Sequence, residues 1–253
     1  MLVALLVIVM LAALVGMIIC NKKQNTVAVA KPIAMVLMIV VLVCGFLLLK
    51  EMNIFGSSTD NLRNNEAKFF ASQGFVVGKF VKSDLGGGKV LLIADNGFDK
   101  DTRIPALVEA IKEGMGGGEV VVDTIALPGG EAEMMEPLIE RMKAKDFDAV
   151  VDKYADAKVV MSLVGVPRDA AKLKLFNSAM SGKGPALVLL GYSEMPGMAT
   201  AIAKGAIAGV VTVSPKAVFD EKAAPKDPQA AFDVRYVLVN KKNIDEFKTL
   251  FGN

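Results

Sequence analysis

The sequence predicts an α/β protein with two N-terminal transmembrane helices followed by one Rossmann-like, mainly parallel, three-layer α/β/α domain. Two uncharged apolar runs near the N-terminus, Leu2–Cys20 over 19 residues and Pro32–Leu49 over 18, supply the first half of that reading. From Lys89 onward short β-branched runs alternate with segments of helical periodicity, as in a parallel sheet covered on both faces. These signals divide the 253 residues into a membrane anchor (1–50), an amphipathic helical connector (51–88) and an α/β domain (89–253).

About 20 apolar residues at 1.5 Å rise cross a bilayer core, so both runs are long enough, the second barely. A cleaved secretory signal needs a basic stretch ahead of its apolar core. Only Met1 stands there, which favours two retained helices over a signal peptide plus one anchor. The connector between them carries Lys22, Lys23 and Lys31. Positive charge resists translocation, so this connector is expected in the cytoplasm and the C-terminal domain outside it. Ala12, Gly16 and Cys20 recur every four residues, a small-residue stripe on which another helix can pack; in an alanine-rich segment the same spacing arises by chance.

In the connector, Ser58, Thr59 or Asp60 can cap a helix. Leu62, Phe69, Phe70, Val76, Val77, Phe80 and Val81 then mark one face. Gly74 and Gly78 each cost about 1 kcal/mol relative to alanine, so a break at Gly74 is expected. This face is expected to pack on its own domain, with a partner or the membrane surface as alternatives. Gly86–Gly88 form the boundary.

Strands are expected at 89–95, 119–127, 158–166, 185–193, 209–215 and 232–240, with helices at 103–115, 133–145, 147–156, 167–180, 194–207 and 242–252. Ligands of such sheets sit beyond the carboxyl ends of the strands, at a switch point. The candidate ligand-binding residues are therefore Asp95, Asn96, Asp99, Arg103, Arg168, Tyr192, Ser193 and Glu194.

Composition excludes much chemistry. There is no histidine, and the only cysteines, Cys20 and Cys44, lie in the apolar runs. Imidazole zinc sites and Ser-His or Cys-His pairs are thus impossible. The loop ADNGFDKDT has one glycine and several acids, so it is no phosphate cradle, and no Walker A motif is present. Asp95, Asp99 and Asp101 lack the EF-hand pattern, and such loops are more often solvated turns. No cofactor, metal or catalytic residue is expected. A net charge of +2, without a basic stripe, argues against nucleic acid.

Several segments together resemble the C-terminal lobe of the sugar-binding periplasmic proteins related to the LacI repressors. GYSEMPGMATAIAKGAIAGVVTVSP is similar to that family's strand, G-[FY]-D loop, helix and strand ending in proline, with Gly191, Ile202, Gly205 and Pro215 in place. FDVRYVLVNKKNIDEF is similar to its closing strand and following turn, through Asn243 and Asp245. Arg103 stands where an arginine commonly begins the first helix of the lobe. The resemblance covers most of Lys89–Phe247 and implies a bacterial, extracytoplasmic domain at the inner membrane.

The departures fall on the ligand site. Ser193 stands where the family has a sugar-contacting aspartate, Val213 where it has a polar residue, and Gly165-Val166-Pro167 where it has an Asn-Asp pair. Sugar sites rely on several convergent polar groups, so weak sugar binding is implied. Only about 35 residues separate the second apolar run from Lys89, too few for a second lobe, although two chains could face each other. The expected function is a non-enzymatic, membrane-anchored interaction or scaffold module, an accessory subunit of an envelope membrane complex with protein partners or copies of itself. The alternative is a small-molecule sensor or solute-binding subunit acting as a dimer.

Overall fold

The computed structural model describes residues 2–23, 29–51, 57–127, 137–191, 197–220 and 222–251. These form two compact units, Met1–Asn64 and Asn65–Asn253.

The first unit contains α1 (Leu2–Lys23) and α2 (Ala30–Glu51), which pack side by side. Both are long and apolar enough to cross a membrane, with mean hydropathy of 2.0 over Leu6–Lys23 and 3.0 over Ala30–Leu49. Their seam corrects the expected stripe. Gly16 does face α2, where an added Cβ would stand 2.9 Å from Leu37 Cδ1, and Cys20 is half-buried. Ala12 points outward, and Ala13 is the buried residue. At 3.6 residues per turn, three positions before Gly16 lies as near the same face as four.

The second unit holds a six-stranded sheet in the order β2-β1-β3-β4-β5-β6. The strands are β1 (Val90–Ala94), β2 (Val120–Thr124), β3 (Val159–Ser162), β4 (Ala186–Leu190), β5 (Gly209–Val213) and β6 (Tyr236–Asn240). β1 to β5 are parallel, with Leu91 opposite both Val121 and Val160. β6 is antiparallel and aligns Val239 with Val210. The sheet is thus mainly parallel, with helices on both faces. Every residue of β1 is buried, because alternate side chains enter two different cores. Leu91 and Ile93 join one with Phe147, Leu187, Met198 and Ile202. Val90 and Leu92 join the other with Leu107, Ile111 and Met115.

The first core is covered by α6 (Ala144–Asp152), α7 (Lys174–Met180), α8 (Met198–Ala203) and α10 (Ile244–Phe247). The second is covered by α3 (Ser57–Asp84), α4 (Arg103–Met115) and α9 (Pro228–Arg235). A four-residue helix, α5 (Leu138–Arg141), precedes α6.

Two local expectations are revised. α3 runs unbroken through Gly74 and Gly78, because those glycines let α4 lie against its backbone. A Cβ on Gly74 would stand 2.7 Å from the Leu107 carbonyl oxygen. Residues 232–235, expected in the last strand, form the end of α9. The Asp227 carboxylate accepts the Ala230 N–H at 2.7 Å and Pro228 opens the helix, a cap and N1 proline that fix a start there. The chain then remains at the carboxyl edge of β5, where Ser214 N–H donates to the Arg235 carbonyl at 2.9 Å. β6 therefore begins at that edge and runs back antiparallel.

Candidate functional site

The strand order reverses between β1 and β3, the switch point where open parallel sheets bind ligands. A groove of about 610 Å³ lies there. Its floor is the ends of three strands: Asp95 and Asn96 after β1, Leu163 and Val164 after β3, and Leu190 of β4 with Gly191 just after it; Phe98 also lines it. Phe70 of α3, Ile104 of α4, and Pro137, Leu138 and Ile139 form its walls.

Local chemistry shapes each loop. Asp95 Oδ1 accepts the Asn96 N–H at 2.8 Å, and the Asp95 carbonyl accepts the Phe98 N–H at 3.2 Å. Gly97 takes φ 84°, the left-handed conformation that the turn requires, and a short 3-10 turn, Phe98–Lys100, follows. After β3, the buried Ser162 hydroxyl donates to the Gly165 carbonyl at 2.6 Å. This bond closes the turn that carries Leu163 and Val164.

Asp101 and Arg103 form the polar centre of the groove. The Asp101 carboxylate accepts the Arg103 backbone N–H at 2.9 Å, Nε at 3.0 Å and Nη2 at 2.7 Å. The guanidinium also lies 5.2 Å from the Phe70 ring centroid, within cation–π range. The Arg103 hydrogen bond holds the Asp101 carboxyl below the usual carboxylate range, against the opposing effect of burial. Asp101 occupies the entry to α4, where the helix dipole favours negative charge. An anionic ligand would have to compete with it for both that field and Arg103.

The structure brings Asp95, Asn96 and Arg103 into one groove. Asp99 is exposed in the 3-10 turn and does not line it. Arg168 also stands outside its lining, paired with Glu140, while the neighbouring Asp169 caps α6 by accepting the Ala144 N–H at 2.8 Å. Tyr192, Ser193 and Glu194 lie outside the described residues. Val213, at the carboxyl end of β5, is 49% exposed. The sequence reading did not place Phe70 in the groove, although the Phe69-Phe70 pair marked the connector face, and it weighed Asp101 only as a cation ligand and not as the partner of Arg103.

Among the described residues, fifteen line the groove; nine of these are apolar, and Arg103 is the one cation. Among the described residues, no group of three carboxylates or cysteines could hold a metal ion. The arrangement can bind an apolar or mixed surface; its one carboxylate–guanidinium pair is internally neutralised.

No protein-family model matches the chain, and neither does any curated protein. Among solved structures it is similar to GanP, a glucose-galactose binding protein from Geobacillus stearothermophilus. That match has 13% identity and a TM-score of 0.39, and covers 74% of this chain and 55% of that one. A periplasmic ribose ABC transporter protein from Conexibacter woesei matches at 14% identity and TM-score 0.42, over 71% of this chain and 60% of that one. A sugar-binding protein of a Bacillus halodurans sugar ABC transporter matches at 14% and 0.44, over 71% and 64%. The chain thus spans 55% to 64% of the length of these structures. All three are sugar-binding or sugar-transporter proteins.

Proposed function

We propose that the chain is a membrane-anchored, non-catalytic binding module, with its α/β unit outside the cytoplasm and its groove offered to a protein partner. In this reading it is an accessory subunit of a complex in the bacterial inner membrane. The observation that carries the reading is the groove's lining among the described residues: nine apolar side chains, and one cation, already held by Asp101. A site built for a polar solute presents several convergent, unengaged polar groups. The apolar wall suits the hydrophobic core of a protein interface instead.

Affinity purification of the full-length chain from its native membrane tests this. A stoichiometric partner should be recovered, and Phe98→Asp, which places a charge in the groove wall, should lose it while keeping the helical and strand content. Recovery of the chain alone, or of the same partner with Phe98→Asp, counts against the reading.

A second reading, small-molecule binding, is favoured by Asp95 and Asn96, which are exposed and line the same groove. A saturable thermal shift of the full chain with a sugar, nucleoside or amino acid would replace the scaffold reading with this one.

A further inference from the structure

Asn96 is the one asparagine in the chain that a glycine follows. It stands just beyond the carboxyl end of β1 and lines the groove together with Gly97. Both residues are exposed. Among the described residues the Asn96 side-chain amide has no hydrogen-bond partner, while its backbone N–H donates to Asp95 Oδ1 at 2.8 Å. The Gly97 carbonyl accepts the Lys100 N–H at 2.9 Å, whereas the Gly97 N–H donates to no described residue. A Cβ built on Gly97 would have nothing within 4 Å, so the space around this peptide is open.

Other asparagines are held in place. Asn243 donates to the Leu238 carbonyl at 3.0 Å and accepts the Asn240 N–H at 2.8 Å. Asn240 in turn accepts the Lys242 N–H at 2.8 Å. Asn177 is exposed like Asn96, but it lies inside α7 with Ser178 after it.

We propose that Asn96 is a site of spontaneous deamidation that changes the charge of the groove. The Gly97 nitrogen attacks Asn96 Cγ, the Cγ–Nδ2 bond breaks, and ammonia leaves with the proton that Gly97 gives up. Nucleophile and carbonyl belong to adjacent residues, which makes the step intramolecular, and glycine sets no side chain against the attack. Water then opens the cyclic imide. Addition at Cγ gives aspartate; addition at the main-chain carbonyl gives isoaspartate, with the backbone rerouted through Cβ and Cγ. Water is the one co-reactant, and nothing is oxidised or reduced.

Either product places a carboxylate beside Asp95, in a groove whose described cation, Arg103, is already held by Asp101. An apolar partner surface would then bury a charge with no counter-charge to meet it, which is costly. Isoaspartate also lengthens the main chain inside the turn that the Phe98 N–H closes on the Asp95 carbonyl at 3.2 Å. The loss of partner rests on the protein-partner reading of the groove; the deamidation does not.

The full-length chain in detergent micelles is held in mildly alkaline buffer, with and without urea, and digested with trypsin at intervals. The peptide Val90–Lys100 contains Asn96 as its only side-chain amide, and Leu175–Lys183 contains Asn177 as its only one. Mass spectrometry reads the exchange of NH2 for OH, and chromatography separates the aspartyl from the isoaspartyl peptide. An exposed turn opens at little cost, so Val90–Lys100 should convert in the folded chain within about tenfold of its rate in urea, and ahead of Leu175–Lys183. Conversion no faster than that of Leu175–Lys183, or more than about tenfold slower than in urea, overturns the modification. Affinity purification with Asn96→Asp tests the consequence, and less partner than with the parent chain is expected. Equal recovery overturns the charge effect and leaves the deamidation standing. A parent chain that recovers no partner overturns the partner reading and the charge effect together, while the peptides still decide the deamidation.

Discussion

Gly78 of α3 lies directly against Ile111 of α4: a Cβ placed on Gly78 would come within 2.3 Å of the Ile111 carbonyl oxygen. The approach is reciprocal, since a Cβ on Gly114 would stand 2.1 Å from the Phe75 carbonyl oxygen. Gly74 and Gly78 were legible as helix-weakening residues; in the fold they are the groove into which α4 settles. Alanine at position 78 gains about 1 kcal/mol of helix propensity, but the neighbouring atom is backbone and cannot rotate away. Overpacking of this kind costs about 1–3 kcal/mol or more. Gly78→Ala should therefore destabilise the chain on balance. A lower urea midpoint with unchanged slope is the expected outcome; a higher midpoint would show that α3 does not lie this close to α4.

Arg235 separates packing from charge. It is 4% exposed, stacks on Phe69, and reaches Glu66, while its Nε has no hydrogen-bond partner among the described residues. Glu66 is largely exposed, so losing the arginine leaves a carboxylate that water can solvate. Arg235→Met removes the guanidinium over Phe69 but keeps an apolar chain in most of its buried space, and should change stability by less than about 1 kcal/mol, since apolar replacement of a buried ion pair is often neutral. Arg235→Ala opens a cavity against Phe69 and should cost about 3 kcal/mol. Thermal unfolding of both variants checks this, and equal losses would mean that the guanidinium, not the buried volume it fills, matters.

The Asp101–Arg103 pair predicts a pH dependence. The Arg103 hydrogen bond lowers the Asp101 pKa from the ordinary 3.8. A carboxyl with a lowered folded-state pKa stabilises the fold fully above its unfolded value, and that contribution is lost as pH falls through the folded value. Asp101→Asn should thus be less stable than the parent at neutral pH, by under about 1 kcal/mol because the pair is partly exposed. The difference should hold down to pH near 4 and vanish below it. Denaturation of both chains across that range checks the sign; a gap that widens in acid contradicts the pairing.

The sheet was legible because buried parallel strands read as continuous β-branched and leucine-rich runs, as KVLLIA does for β1. Residues 232–235 read as strand because Phe232, Val234 and Tyr236 alternate, yet the Asp227-Pro228 start signal just ahead of them imposed a helix. Asp95, Asn96 and Arg103 line the groove because loop position after β1 places them at the switch point. Arg168 lies outside the groove lining, because position in a loop does not say which way a side chain is drawn, and Glu140 draws this one aside. Phe70 was hidden because no local pattern tells that α3 packs along α4 and ends its apolar face at the groove.

Asp99 tests whether the acidic loop is more than a turn. It is exposed and outside the groove, and its neighbour Asp101 is committed to Arg103 at 2.7 Å. Among the described carboxylates of this loop, Asp95 is the one left with an oxygen beyond that which holds the Asn96 N–H. Calcium takes six to eight oxygen ligands, far more than this loop offers without breaking the Asp101–Arg103 pair. Asp99→Ala should accordingly change stability by less than about 0.5 kcal/mol, and millimolar calcium should leave the unfolding temperature of both chains unmoved. A calcium-dependent rise in the parent that Asp99→Ala removes would show instead that the loop rearranges around a cation, with Arg103 released to the groove.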